Sequence, residues 1–217
     1  MRFILCFILV SFVFGLKAQK IYDPEAEKLL KAVSEQISSS KEISAKFTFG
    51  LDYFEQEEDV QNGVLVQQND KYIITLGETD VISTEEGFYL VDKESSNVQI
   101  NDPLDPEMTD LYNPISLMQK YDSGEFEYAI VGEEKVEGNR LILIEFKPTD
   151  RYSELSKIRV GLDQTDQMPV YVKIFNKDAS RVNIDIIELD LIDHITKVVK
   201  FDKSSYPSFE IEDLRID

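Results

Sequence analysis

Residues 157–186 read KIRVGLDQTDQMPVYVKIFNKDASRVNIDI, and an apolar side chain recurs in them at every second position. Ile158, Val160 and Leu162 share one face; Val170, Val172 and Ile174, then Val182, Ile184 and Ile186, repeat the pattern. The opposite positions carry Arg159, Tyr171, Lys173, Asn183 and Asp185, which belong in water. A period of two is the period of a β-strand with one buried face. Polar turns at Asp163 to Met168 and at Lys177 to Ser180 separate the runs. Strands joined by such short turns form an antiparallel meander, and its apolar side must be covered.

The same pattern extends in both directions. FEYAIVGEEKV and RLILIEFKP precede the stretch, joined at Glu137 to Asn139, and RVNIDIIELDLI closes it. Near the start, AKFTFGLDYFE places Phe47, Phe49, Leu51 and Tyr53 on one face. Two strands follow, Gly63 to Gln67 and Lys71 to Leu76, with Asn69-Asp70 as their turn. DVISTEEGFYLVDKESSNVQI (80–100) reads as a hairpin of Gly87 to Val91 and Asn97 to Ile100 around a turn at Lys93 to Ser96. NDPLDPEMTDLY is a loop, since its two prolines exclude regular structure. The total is about ten or eleven strands, the pattern of a sheet that curls into a barrel or half-barrel.

Two segments have the helical period instead. In DPEAEKLLKAVSEQISSSKEI, Asp23 suits the N-cap, Pro24 the first turn, and Glu25 and Glu27 the positive end of the helix. Leu29, Leu30, Val33 and Ile37 form its apolar stripe, and Ser38 to Ser40 end it. In NPISLMQKYDSG, Asn113 caps a shorter piece with Ile115, Leu117 and Met118 apolar and Gly124 at the far end. The predicted fold is α+β, mainly β: an antiparallel meander curled into an open, incomplete β-barrel with a helical lid.

The first residues, MRFILCFILVSFVFGLKAQ, have the charged and apolar regions of a signal peptide, with cleavage expected after Ala18. The apolar run is short for a membrane anchor. Cys6, the only cysteine, lies inside it and too early for lipid attachment. The remainder, 19–217, is read as one exported domain without disulfides, held together by its core. The chain has 23 basic and 42 acidic side chains, a net charge of −19. Cleavage would remove Arg2 and Lys17 and no acid. Such an excess argues against nucleic acid and anionic membrane surfaces as partners.

No catalytic signature accompanies the pattern. His194 is the only histidine and reads as a surface residue. There is no nucleophile elbow, zinc spacing or P-loop. DQTD at Asp163 to Asp166 is a turn, lacking the Gly and Glu of a calcium loop. The chain is read as no enzyme, with no cofactor and no metal. What remains is the apolar seam between sheet and helices. Each methylene buried there contributes roughly 0.8 kcal/mol, so an acyl chain is a reasonable guest. Alternation alone does not separate a filled core from a lined cavity.

The order of these elements resembles the LolA family of periplasmic outer-membrane lipoprotein carriers, in particular its divergent LolA-like branch. The resemblance is carried by the leading helix running into SAKFTF, the pair NGVLVQQNDKY, the hairpin ISTEEGFYLVDKESSNVQI, NPISLM, LILIEFKP, the stretch 157–186 and the closing FDKSSYPSFEIEDLR. It implies a periplasmic carrier that holds lipoprotein acyl chains in an apolar cavity. As a monomer, the carrier would receive its cargo from an inner-membrane ABC transporter and pass it to an outer-membrane acceptor. The hairpin would then be part of the barrel wall, with Phe88, Leu90 and Val98 in its lining or backing. The candidate acyl-chain residues are Phe47, Phe49, Val64, Val66, Ile74, Leu90, Leu143 and Ile174 on the sheet, with Leu29, Val33, Ile115, Leu117 and Met118 on the lid. A slip of one residue in strand phase would exchange Val64 and Val66 for Leu65. Two departures stand out. The arginine that tethers the lid in the family would fall near Asn69, where there is none, and Glu86-Gly87 replaces an Asp-Gly turn. A second function on the same fold is a lipid- or lipoprotein-sensing module that regulates a membrane partner.

Overall fold

The computed structural model describes residues 22–53, 59–103, 113, 115–119 and 121–216. The expected signal segment, with Cys6 and the cleavage point after Ala18, lies outside them, as does most of the proline-containing loop.

Helix α1 (Pro24–Ser39) starts as the sequence dictates. The Asp23 carboxylate accepts the backbone N–H groups of Glu25 and Ala26 at 2.9 and 3.4 Å. Ala26, Leu30, Val33 and Ile37 are fully buried along one stripe, and Leu29 packs half-buried beside them. The strands are β1 (Glu42–Asp52), β2 (Asp59–Gln68), β3 (Lys71–Leu76), β4 (Thr79–Thr84), β5 (Gly87–Asp92), β6 (Asn97–Asn101), β7 (Phe126–Val136), β8 (Asn139–Pro148), β9 (Leu155–Asp163), β10 (Pro169–Asn176), β11 (Arg181–Ile192) and β12 (Glu210–Asp213). The short helix α2 (Ser116–Gln119) falls between β6 and β7.

All twelve strands join one sheet in the order β12-β6-β5-β4-β3-β2-β1-β11-β10-β9-β8-β7. Two runs of hairpins, β1 to β6 and β7 to β11, meet where β1 pairs with β11. The ends β7 and β12 do not pair with each other, so the sheet is curled but open. Every pairing is antiparallel except β12 with β6, which is parallel. Residues outside glycine take positive φ at the expected turns: Asn69 (52°), Ser96 (54°), Glu137 (49°), Gln167 (63°) and Ala179 (71°).

The register sorts the side chains onto two faces. On the inner face, Phe47 lies across from Gly63, Ala45 from Leu65, Leu65 from Ile74 and Ile74 from Val81. The face continues through Phe88 and, on the other arm, through Ile144, Phe146, Ile158, Val160, Leu162, Val172 and Ile184. A Cβ at residue 63 would fall inside the Phe47 ring, so glycine is what lets that ring lie flat across β2.

The outer face is not simply wet, as alternation implied. Ile73, Ile82, Tyr89, Val91, Val98 and Ile100 form a second apolar cluster with Val199. Chain 197–213 covers it, bringing Phe201, Tyr206, Phe209 and Ile211 onto the sheet. Tyr89 stacks on Phe201 with centroids 4.2 Å apart, and Phe201 on Tyr206 at 5.8 Å. Tyr171, assigned to water by alternation, is buried on the outer face. Its ring lies over Gly161 and its hydroxyl donates to Glu134 at 3.0 Å. An aromatic body with one polar tip tolerates this position, which alternation scores as polar.

Candidate functional site

The inner face under α1 and α2 is the site the fold builds. Of the sequence-predicted residues, Phe47, Ile74, Val33, Ile115, Leu117 and Met118 are buried together in one core, with Phe49, Leu90, Ile174 and Leu29 half-buried against it. Three positions point the other way. Val64 and Val66 flank the inward Leu65; Val64 is 42% exposed and Val66 packs on the outer cluster. Leu143 lies opposite Gly161, out of phase with the inward Ile144 and Phe146. Val98 likewise pairs with Val91 on the outer face. β2 and β8 carry apolar residues on both faces, so the sequence has no polar alternation there from which to fix the phase; β6 does alternate, and it is its apolar set, Val98 and Ile100, that faces outward. The inner residues missed for this reason are Leu65, Tyr72, Val81, Ile144 and Phe146.

The lid is held to the sheet by polar groups as well as by packing. Gln67, at the end of β2, is 4% exposed. Its amide nitrogen donates to Gln119 Oε1 at 3.1 Å and to the Asn69 carbonyl at 2.9 Å. Its oxygen accepts Asn113 Nδ2 at 2.8 Å, and Asn113 Oδ1 accepts the Ile115 N–H at 3.1 Å. The expected cap on α2 is therefore present and is itself anchored to β2. Asn69 stays exposed in its turn, and the tether sits two residues earlier, on Gln67. A pocket of about 190 Å³ opens beside this network, between the end of α1, the start of β1 and the β2–β3 turn.

The other helix is tied at its start. Asp23 Oδ2 accepts the Ile130 N–H at 3.1 Å on the edge strand β7, while Oδ1 caps α1. These bonds, that to Glu25 first, hold its carboxyl below the usual range. Where β1 begins, Glu42 is 1% exposed. It accepts Gln68 Nε2 at 2.7 Å and the Thr196 and Lys197 N–H groups at 3.0 and 3.3 Å, together with the Thr196 hydroxyl. Burial alone would push its pKa up. The bonds from Thr196, Gln68 and Lys197 outweigh it and hold the carboxyl below the usual range.

Among the described residues the inner face is lined chiefly by apolar side chains. Tyr128, its most perturbed titratable group, is pushed up to about 12 chiefly by burial, so its phenol stays protonated at neutral pH. His194 is exposed beside Asp193. Among the described residues no group of His, Cys, Asp and Glu could hold a metal ion. The arrangement is an apolar sheet face covered by α1 and α2.

No family model and no curated protein matches the sequence. Solved structures are similar to the chain in fold. An uncharacterised conserved protein from Thermus thermophilus has a TM-score of 0.57 at 7% identity, over 87% of this chain and 99% of that one. A putative outer-membrane lipoprotein-sorting protein domain from Vibrio parahaemolyticus gives 0.42 at 13% identity, over 84% and 97%. A LolA superfamily protein from Nitrosomonas europaea gives 0.40 at 11%, over 82% and 98%. At these identities each is a likeness of fold alone.

Proposed function

We propose that the chain is a carrier of lipoprotein acyl chains, acting in the periplasm once residues 1–18 are removed. The supporting observation is the open sheet whose inner face is apolar from β9 across β1 to β5, covered among the described residues by α1 and by the four-residue α2 tethered through Gln67. Ile115, Leu117 and Met118 fill the space under the lid. Loading therefore takes the form of exchange: acyl methylenes replace lid side chains against Phe47, Leu65, Ile74 and Phe88. The apolar contacts given up and gained are alike in kind. The net drive comes from acyl surface withdrawn from water, roughly 0.8 kcal/mol per methylene. The cargo would come from an inner-membrane transporter and leave to an outer-membrane acceptor.

Native mass spectrometry of the chain from Gln19 with a triacylated lipopeptide tests this. One lipopeptide bound per chain is expected, with release to acceptor vesicles. An apo mass unchanged after incubation refutes it.

A further inference from the structure

Toward its β12 edge the inner face changes character. Thr79 on β4, Leu90 and Asp92 on β5, Asn97 and Gln99 on β6 and Glu210 on β12 line an open groove of about 560 Å³, a size typical of ligand sites. Asn97, Gln99 and Asn101 succeed one another along one face of β6, all half-buried. Glu210 lies beside Asn97, and Glu212 beside Gln99. The side-chain amides of Asn97 and Gln99 bond to no other described residue. Neither Glu210 nor Glu212 has an ion-pair partner among the described residues, and no lysine or arginine lines the groove. Partly buried amides that bond to no other described residue keep their donors and acceptors available to a polar guest.

We infer that this polar end of the inner face binds an extended, hydrophilic polypeptide segment with cationic side chains. Three features select that guest. Amides repeating every second residue, roughly 6.7 Å apart, match the repeat of a polypeptide stretched along the strand. Amides both donate and accept, as a peptide backbone requires. Asp92, Glu210 and Glu212 supply negative charge without a local counter-charge. The groove is continuous with the apolar face through Leu90, which belongs to both. On the carrier reading, on which only the identity of the guest rests, the segment is the cargo polypeptide beyond its acylated end.

The test uses soluble, unacylated fluorescent peptides of Gly, Ser and Lys, and the same peptides with Glu in place of Lys, against the chain from Gln19. Anisotropy should show the Lys peptide binding, more weakly as NaCl rises, and the Glu peptide not binding. The double variant Glu210→Gln/Glu212→Gln should weaken the Lys peptide by roughly fivefold to tenfold, the effect of two exposed ion pairs. Asp92 is left in place because it caps its own turn through Ser95. Gln99→Leu, which keeps every charge, should weaken it as well. Equal binding of the two peptides, an unchanged affinity in the double variant, or binding of a neutral oligosaccharide in place of the Lys peptide would overturn the inference. A triacylated lipopeptide assayed in parallel separates the two readings. Lys-peptide binding without acyl binding removes the carrier function alone, and acyl binding without Lys-peptide binding removes the peptide groove alone.

Discussion

Glu42→Gln should loosen the first of the attachments that hold the C-terminal arm to the sheet. Glu42 Oε2 takes three N–H donors, from the Gln68 side chain and from the Thr196 and Lys197 backbone. Gln68 in turn accepts the Val199 N–H at 3.2 Å, where the arm turns onto the outer face. Glutamine keeps the shape and one acceptor oxygen but loses the charge. A hydrogen bond to an ionised group contributes about 1.5–3 kcal/mol against about 0.5–1.5 for a neutral one. Over three bonds the loss approaches 3 kcal/mol, and relief from burying a charge returns part of it. A net loss of about 2 kcal/mol follows, a fall in Tm of about 4–8 °C for a chain of this size. Thermal melts by circular dichroism measure the total. Hydrogen exchange at Thr196, Lys197 and Val199 locates it, and the exposed control Glu188→Gln should change Tm by a degree or so. The pH dependence has a definite sign. The folded carboxyl sits below its unfolded value of 4.5, so its contribution is complete above that pH and fades as pH falls through the folded pKa. The gap between wild type and variant should be widest near neutrality and close on acidification. A variant within 0.5 °C of wild type at pH 7, or a gap that widens toward pH 3, would refute the clamp.

Three further substitutions probe the two faces. Gly63→Ala forces the Phe47 ring off β2 and should cost about 1–3 kcal/mol in urea denaturation; combined with Phe47→Leu the cost should be less than additive, and full additivity would count against the cross-strand pairing. Phe201→Ala removes the ring between Tyr89 and Tyr206 and should lower stability by about 2–3 kcal/mol, with exchange protection lost along 199–213. Gln67→Leu leaves the Asn113 amide and Gln119 without their partner; it should cost about 1–2 kcal/mol and raise exchange at 115–119 before any other segment, and uniform loosening would contradict a local tether.

How far the sequence disclosed this structure depends on the chemistry of each element. The start of α1 was legible because Asp23, Pro24 and the stripe through Ile37 all act locally. The turns were legible because their residues must adopt uncommon φ. β4 was missed since TDVIST carries two adjacent aliphatics, Val81 and Ile82, which face opposite sides of the sheet. β12 was missed because Glu210–Asp213 has a single apolar residue, Ile211, and exists through its parallel pairing with β6. The inner face was half legible. Phe47 stands in a strand with readable alternation, whereas Ile74 beside the outward Ile73, and Val64, Val66 and Leu143, stand in strands with apolar residues on both sides. The outer cluster was not legible at all, because it depends on an arm more than ninety residues away in sequence from the strands it covers. The Gln67 tether was equally hidden: a glutamine carries no signal of burial until a second chain segment brings Asn113 and Gln119 to it.

The two covers of this sheet are built from different materials, and that difference decides which face can open. The outer cover is secured at three successive points along the chain: the Glu42 carboxylate at 196–197, the aromatic stack at 201–209 and the β12 strand at 210–213. Releasing any one leaves the others in place, so the arm stays down until a large part of the sheet's stability is lost. The inner cover presents a shorter apolar surface. α2 is four residues, far below the length at which a helix holds itself, so it persists only while it is seated. Its seat is three apolar side chains and the Gln67 network, in which every bond joins neutral amides worth about 0.5–1.5 kcal/mol each. An acyl chain that buries ten or more methylenes gains roughly 8 kcal/mol or more, the same order as the cost of exposing the three apolar side chains of the seat at about 1.5–3 kcal/mol each. The same guest gains nothing comparable on the outer face, where it would have to unstack Tyr89, Phe201 and Tyr206 and withdraw a strand. On the carrier reading, the asymmetry favours exchange on the inner face over the outer one. It also gives lid tethering by Gln67 a measurable consequence: weakening the tether should raise acyl affinity without altering the C-terminal arm.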